Sequence, residues 1–218
     1  MSNITLISTF HSELGKCNAN ELYKILKTIN PDVIFEELPQ KLFKTLYDNP
    51  FTELPVDVPL ELKCVKNYLK NHTVKHFPVD IESKQILTLE NFFRKHPQYN
   101  KLLNDCKKVI FKEGFPYLNS DSYIEYHEKK TILENQILKF SKQNELLIAH
   151  YNQLNFENEK RENAMLKNIH TVYKEYKFEN AVFLLGVGHR KSMIQKVYDK
   201  NIKNLNWTIY DPTKKSTQ

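Results

Sequence analysis

The 218-residue sequence is poor in cysteine, glycine and arginine, and it has no long apolar run. Its three cysteines, Cys17, Cys64 and Cys106, lie far apart and form no Cys-x-x-Cys pair. This pattern excludes a disulfide-stapled scaffold and a cysteine zinc site, so we expect ordinary buried thiols. No apolar run approaches the roughly 20 residues that cross a bilayer, so we expect no membrane partner.

The scarcity of arginine bears on possible partners. Lys and Arg number 32 against 26 Asp and Glu, a net charge of +6, but only Arg94, Arg161 and Arg190 are arginines. Nucleic-acid recognition favours arginine in concentrated basic patches, whereas these lysines are spread among glutamates. We therefore expect no nucleic-acid partner. The chain begins at Met1 without a basic leader or a cleavage site, which favours a cytoplasmic protein.

The N-terminal residues have the pattern of a βαβ unit. Residues 4–9 and 32–38 are apolar and β-prone, and between them apolar residues recur from Leu22 to Ile29 at helical spacing. A right-handed crossover makes the two strands parallel, so their carboxyl ends open onto one edge of the sheet. Hydrophobic residues make up 40% of the chain, and we expect residues 1–218 to form a single folded domain.

Three further strands complete the predicted sheet. Residues 74–80 end at an acid, residues 180–189 are strongly apolar up to a glycine turn, and residues 206–211 form the last strand. The fold class is therefore α/β, with a central, mostly parallel sheet built from the N-terminal and C-terminal segments.

The middle of the chain, residues 83–178, is polar and helical in period. It is too long for a connection, so we expect a helical insertion that caps the sheet. Within it, the spacing predicts one buried apolar stripe, formed by Leu133, Ile137, Phe140, Leu146 and Leu147. Arg161-Glu162-Asn163 precedes a second apolar-periodic run and is expected to start a helix.

Residues suited to chemistry follow the predicted strands at the edge where ligands bind in open α/β folds. They are His11 and Glu13 after the first strand, Glu36 and Glu37 at the end of the second, Asp80 at the end of the third, and Gly186, Gly188 and His189 at the fourth. Each residue alone has an ordinary structural explanation. Their convergence on one edge favours a functional site.

The adjacent acids and the glycine turn raise separate questions. Alternation along a strand places Glu36 and Glu37 on opposite faces, and the sequence does not decide which one faces the site. Gly186 and Gly188 allow close backbone approach, and the following helix start supplies free N–H donors. The dinucleotide fingerprint is not met, because the third glycine is missing.

Two kinds of chemistry suit this set. Imidazole and carboxylate groups can bind a divalent metal that activates water. Without a metal, a histidine oriented by an acid can deprotonate water while a polar group stabilises the oxyanion. Arg161 either forms a surface salt bridge or steadies a site carboxylate and binds the oxyanion. No Gly-x-Ser-x-Gly nucleophile elbow is present.

Two motifs resemble the TraB/PrgY/Tiki superfamily and its wider GumN, ChaN-like and erythromycin-esterase relatives. Gly186-Val-Gly-His189 matches the second Gly-x-x-His motif of that family, and Arg161-Glu-Asn-Ala-Met resembles its Arg-Asp/Asn-x-x-Met/Leu stretch. The first Gly-x-x-His motif of the family is altered in this sequence, because Ser8 stands in place of the glycine in Ser8-Thr-Phe-His11. The resemblance covers about residues 3–38 and 158–211.

The resemblance implies a hydrolase of peptide or ester bonds, with a small-molecule or peptide substrate and possibly Mn²⁺, Co²⁺ or Zn²⁺. It implies His11, Glu37 and His189 as catalytic residues and metal ligands, with Glu36 and Arg161 in support. Asp80, Gly186, Gly188 and Glu13 are then placed near the substrate. Two alternatives remain open: a ligand-binding protein without turnover, and an interaction module such as a toxin, immunity or signalling component.

Overall fold

The structure is a computed structural model that describes residues 2–48, 58–82, 89–142, 144–199 and 205–212. Its centre is a parallel sheet with the strand order β3-β2-β4-β1-β5. The strands are β1 (Ser2–Thr9), β2 (Val33–Pro39), β3 (Lys75–Asp80), β4 (Asn180–Gly186) and β5 (Leu205–Ile209). The predicted α/β class, with a sheet built from both ends of the chain, is confirmed.

Helices connect the strands and fill the middle of the chain. They are α1 (Ala19–Ile29), α2 (Gln40–Tyr47), α3 (Leu60–Leu69), α4 (Glu90–Phe93), α5 (Pro97–Glu113), α6 (Phe115–Leu118), α7 (Asp121–Lys139), α8 (Asn144–Glu175) and α9 (Arg190–Asp199). A 3₁₀ turn over Val187–His189 joins β4 to α9. No described helix is both long and apolar enough to span a membrane.

The strand order creates a crevice above the centre of the sheet. β4 pairs with β1 from Asn3↔Asn180 to Thr9↔Gly186 and also pairs with β2 on its other side. The connection from β1 to β2 passes over β4, and the connection from β4 to β5 passes over β1 in the opposite direction. Ligands of open α/β sheets bind at the carboxyl ends of strands where the connections diverge in this way.

Two apolar cores cover the faces of the sheet. Side chains alternate along β2, so Ile34 packs with α1 and α3 on one face while Phe35 packs with α8 and α9 on the other. Helix α1 is fixed at its start by Asn18, whose side chain accepts a hydrogen bond from the Glu21 N–H at 3.0 Å. The same alternation decides where the two adjacent glutamates point.

Helices α4 to α8 form the predicted cap. A third apolar cluster, including Phe93, Tyr99 and Ile137, holds α4, α5 and α7 together away from the sheet. The predicted stripe is wrong in two positions, because Phe140 and Leu146 are 82% and 76% exposed. Their neighbours Leu138 and Leu147 pack in the cap cluster, so Phe140 and Leu146 are the side chains that do not face it.

The start predicted for the helix at Arg161 is also wrong. Helix α8 runs without interruption through 32 residues, and Arg161 lies in its second half. The segment contains neither glycine nor proline, so nothing in it breaks the helix. The long helix extends from the cap to the edge of the sheet, and Arg161 lies in the part of the helix at that edge. Residues 83–88 and 143 of the predicted insertion lie outside the described residues.

Candidate functional site

A cleft of about 1210 Å³ lies between the carboxyl edge of the sheet and the cap. Its floor includes the residues after β1 and β4, namely His11, Gly186, Gly188 and His189. Arg161 enters the floor from α8, and aromatic residues of the cap form the opposite wall. The cleft therefore occupies the crevice that the strand order predicts.

Arg161 links the carboxylates of two strands. Its Nη2 donates to Asp80 Oδ2 at 2.6 Å and to Glu37 Oε1 at 2.7 Å, and its Nε lies 3.1 Å from Asp80 Oδ2. Its Nη1 lies 3.4 Å from His189 Nε2. The guanidinium fork thus holds the ends of β2 and β3 against α8 and contacts a histidine of the site.

Gly186 lets two functional side chains approach the backbone. Its N–H donates to Glu37 Oε2 at 2.6 Å. A Cβ atom at this position would stand 2.9 Å from His11 Nε2 and 3.1 Å from Glu37 Oε2, closer than side chains tolerate. Gly188 differs, because a Cβ there would meet nothing within 4 Å. Of these two cleft glycines, Gly186 is therefore the one for which the structure gives a steric reason.

His189 is oriented by a carboxylate of α8. Its Nδ1 lies 2.8 Å from Glu162 Oε1, and the other oxygen of Glu162 accepts from Ser192 Oγ at 2.5 Å and faces Lys196 Nζ at 3.5 Å. Burial raises the pKa of the Glu162 carboxyl, but the hydrogen bonds from His189 and Ser192 outweigh it and hold the pKa below its ordinary value. In the neutral tautomer of His189, a charged Glu162 holds the proton on Nδ1, and the lone pair of Nε2 then faces Arg161 Nη1 at 3.4 Å.

His11 has a carboxylate partner of its own on α3. Its Nδ1 lies 3.1 Å from Glu61 Oε1, an oxygen that also accepts a hydrogen bond from Thr9 Oγ1. The hydrogen bond to Glu61 is the main cause that raises the pKa of His11 to about 8, against the effect of burial. The His11 side chain is 62% exposed and lines the cleft, so a protonated imidazole is open to a ligand near neutral pH.

Glu36 lies apart from this cluster. Its carboxylate accepts from Tyr47 Oη at 2.6 Å and faces His76 Nδ1 at 2.7 Å, on the face of the sheet that α1 and α3 cover. Glu37 points to the opposite face, where Arg161 arrives. The structure thus decides between the two acids, and it brings Glu37, not Glu36, to the cleft.

Glu13 is also separate from the cleft cluster. Its carboxylate accepts from the Ala19 N–H at 3.1 Å at the start of α1 and pairs with Lys63 Nζ at 3.1 Å. The pKa of Glu13 is lowered, mainly by the hydrogen bond from the Ala19 backbone and to a smaller extent by the hydrogen bond from the Lys63 side chain. These contacts stabilise the helix start, as expected for an acid near a helix N-terminus.

The serine that replaces glycine in the first motif does not obstruct the site. Ser8 is fully buried, and its Oγ accepts from Arg190 Nη1 at 3.2 Å. Asn119 brackets its backbone, accepting from the Ser8 N–H at 2.8 Å and donating to the Ser8 carbonyl at 3.0 Å. Ser8 is not among the residues that line the cleft, so His11 keeps its approach to the cleft.

Sequence reasoning missed the residues that orient the histidines. Glu162 stands inside the quoted Arg161-Glu162-Asn163 segment, so an acid next to the key arginine was the available signal. Glu61 lies in the first turn of α3, and no spacing in the sequence pairs it with His11. Both contacts join segments far apart in the chain, which only the tertiary fold brings together.

The arrangement does not fit a divalent metal held by His11, Glu37 and His189. In the part of the chain that the structure describes, no group of three or more His, Cys, Asp or Glu side chains could hold a metal ion. Both oxygens of Glu37 already accept hydrogen bonds, and the guanidinium of Arg161 contacts both Glu37 and His189. Metal binding stays a prediction, and no chemical step below uses a metal.

The fold and the cleft define an α/β protein with two carboxylate-oriented histidines at the carboxyl edge of a parallel sheet. Comparisons with family models, curated proteins and solved structures find no match to the chain. The resemblance to the TraB/PrgY/Tiki superfamily therefore stays a prediction.

Proposed function

We propose that the chain is a hydrolase of ester or peptide bonds that works by metal-free acid–base catalysis in this cleft. The observation that carries the proposal is the pairing of two cleft histidines, each held through Nδ1 by its own carboxylate: His189 by Glu162 and His11 by Glu61. Acid-oriented imidazoles are the commonest general acids and bases in enzymes. The cleft volume suits a small molecule or a short peptide.

His189 is the general base in this proposal. With its proton held on Nδ1 by Glu162, its Nε2 accepts a proton from a water molecule. The imidazolium that forms then has Glu37 Oε1 at 3.5 Å, a negative charge that stabilises it. Ser192 and Lys196 are positioning residues, because they hold the second oxygen of Glu162.

His11 and Arg161 serve the other half of the reaction. His11 is protonated near neutral pH, so it can donate a proton to the leaving group. Arg161 Nη1 contacts only His189 among the described residues, at 3.4 Å, and so has an N–H left for a developing oxyanion. The remaining N–H groups of Arg161 bind Asp80 and Glu37 and fix its position.

The proposed step conserves atoms and charge. A water oxygen bonds to the carbonyl carbon while His189 Nε2 takes one of its protons, and the carbonyl π electrons move to the oxygen beside Arg161. The tetrahedral intermediate collapses, the bond to the leaving group breaks, and that group takes the proton of His11. The products are a carboxylic acid and an alcohol or amine, and the proton on His189 returns to His11 through water.

Membership of the TraB/PrgY/Tiki superfamily is part of the proposal. Its support is the order of the motifs, with His11 after β1, Arg161-Glu-Asn-Ala-Met in α8 and Gly186-Val-Gly-His189 after β4. The altered first motif is compatible with this proposal, because Ser8 is buried against Arg190 and does not line the cleft. A cytoplasmic location is proposed on the sequence features given above.

The test is a hydrolysis screen with p-nitrophenyl esters of graded chain length and a quenched-fluorescent peptide library. We expect turnover of at least one substrate by the purified protein in chelator, because the proposed chemistry needs no metal. The control is the His170→Ala variant, since His170 lies on α8 outside the cleft lining. It should retain wild-type activity, whereas His189→Ala should lose it.

Elemental analysis before and after loading with Mn²⁺, Co²⁺ and Zn²⁺ separates the two chemistries. Stoichiometric metal in the wild type that is absent from the His11→Ala/His189→Ala double variant would overturn the metal-free mechanism. A ligand that raises the melting temperature but stays unchanged after long incubation would instead support the alternative of a binding protein.

A further inference from the structure

The hydrogen-bonded cluster under the cleft has an excess of negative charge, although the whole chain is basic. Its carboxylates are Glu37, Glu61, Asp80 and Glu162, and its cations are Arg161, Lys196 and the protonated His11. Leaving His189 out of the count, four carboxylates face three cations. A site with this balance favours a ligand that brings a positive charge.

One further carboxylate at the cleft has an oxygen that accepts no hydrogen bond within the described structure and is paired only at 3.8 Å with a lysine. Glu157 lines the cleft from α8, one helical turn before Arg161, so both side chains are on the same side of the helix. Its Oε2 is buried and accepts no hydrogen bond from the described residues. Lys160 Nζ is 3.8 Å away, and the side chain of Lys160 is 54% exposed. A buried carboxylate oxygen without a donor is costly unless a ligand supplies one.

The opposite wall suits the apolar body of a cationic ligand. Aromatic rings of the cap line the cleft, namely Phe93, Tyr99, Tyr123, Tyr126 and Tyr151. Such rings attract ammonium groups as well as apolar groups. Three cap cations line the cleft beside them: Arg94 and Lys130 each bond a glutamate of their own, and Lys107 lies on α5. These cations of the cap wall do not offset the excess negative charge of the carboxylate cluster on the opposite side of the cleft.

We propose that the cleft binds a substrate bearing a protonated amine, with Glu157 as the carboxylate that receives the ammonium and the partly exposed rings of Tyr126 and Tyr151 as the surface that packs on its apolar body. This inference rests on the proposed function, because it assigns a chemical class to the substrate of that site. Glu157 is a specificity-determining residue here and takes no part in the proton transfers.

Binding of matched amides tests the inference without requiring turnover. Phenylalaninamide and 3-phenylpropanamide differ only by the α-amine, which is protonated at about pH 6.5. Calorimetric titration of the wild-type protein should give a dissociation constant for phenylalaninamide about 10-fold or more below that of 3-phenylpropanamide, the ratio expected for one charge-assisted hydrogen bond. The ratio should fall to within about 2-fold in Glu157→Gln.

The matched control is Glu175→Gln, which changes an exposed glutamate at the end of the same helix, outside the cleft lining. It should keep the wild-type ratio. Equal binding of the two amides by the wild type, or an unchanged ratio in Glu157→Gln, would overturn the inference. If Glu157→Gln does not fold, Glu157→Ala, which also removes the negative charge, replaces it, and an unchanged ratio there would also overturn the inference.

A third probe, 3-phenylpropylamine, distinguishes the sources of the amine. Binding as tight as that of phenylalaninamide assigns recognition to the ammonium of a small molecule or side chain. Weaker binding assigns it to an aminoacyl unit such as a peptide N-terminus, and both results support the inference. A charge preference without hydrolysis in any screen would overturn the proposed catalysis while retaining the amine site, so the two failures are distinguishable.

Discussion

Two carboxylate–histidine clusters stand on opposite faces of the same strand, and among the described residues one of them borders the cleft under the cap while the other does not line it. Glu36 bonds His76 and Tyr47 beneath α2, whereas Glu37 stands beside His189 and Arg161 under the cap. Both acids are buried and both have a histidine nearby. A buried acid–histidine pair is therefore no sign of function by itself, and access to the cleft distinguishes the two.

The largest expected difference between the clusters is in activity. His189→Ala should reduce kcat by about 100-fold to 10,000-fold, because it removes the proposed general base. His76→Ala should leave kcat within about 2-fold and instead lower stability by about 1–3 kcal/mol, since Glu36 loses a partner. Steady-state kinetics and thermal unfolding of both variants measure this. Equal activity loss in the two variants would contradict the assignment of the cleft as the active site.

Removing the charge that holds Glu37 should have the next largest effect, this time on stability. Arg161→Met leaves Glu37 and Asp80 buried without their cation, so we expect a loss of about 3–5 kcal/mol. The control is Arg94→Met, which breaks the exposed pair with Glu90 and should cost less than about 1 kcal/mol. Urea denaturation compares the variants. Similar losses of unfolding free energy in the two variants would contradict this prediction, because the ion pairs of Arg161 would then contribute no more than the exposed pair of Arg94.

The two glycines of the cleft should respond differently to a methyl group. In Gly186→Ala the new Cβ meets His11 and Glu37, so the exposed His11 must move and kcat should fall by about 10-fold or more, the loss expected when a catalytic group is misplaced. In Gly188→Ala the Cβ enters open space, and kcat should stay within about 2-fold. Parallel kinetics of the two alanine variants test this, and a greater loss in Gly188→Ala would refute the steric argument.

The smallest expected effect is a pH dependence that belongs to the cleft cluster. Glu61 raises the pKa of His11 from 6.5 to about 8, so the stabilising pair is fully present below pH 6.5 and is lost as pH rises through about 8. Activity that needs protonated His11 should fall over the same alkaline range. In Glu61→Gln that fall should move to lower pH, which a pH–rate profile detects. An unmoved alkaline limb would exclude His11 as the proton donor.

The sequence predicted the sheet edge well because the carboxyl ends of parallel strands are set by alternation and connection rules. His11, Glu37, Asp80 and His189 do meet at one edge, joined through Arg161 or Gly186. Which of Glu36 and Glu37 reaches the cleft cluster depends on where α8 places Arg161, and alternation along β2 does not predict that position. The partners Glu61 and Glu162 likewise depend on how two helices pack on the sheet.

The prediction of the cap failed for a different physical reason. Helical periodicity identifies an apolar face but not the element that covers it. Ile137, Leu138 and Leu147 meet the cap core, whereas the neighbouring side chains of Phe140 and Leu146 are exposed to solvent. Long-range packing, and not local propensity, decided those positions.

The insertion of β4 between β1 and β2 has a consequence for synthesis. The first two strands are close in sequence but do not pair with each other, and the strand between them comes from the last fifth of the chain. A nascent chain therefore cannot assemble the central sheet until that strand has left the ribosome. Through most of translation His11 lies next to a gap in the sheet, so a partly made chain lacks β4, Gly186 and His189 and cannot form the proposed site.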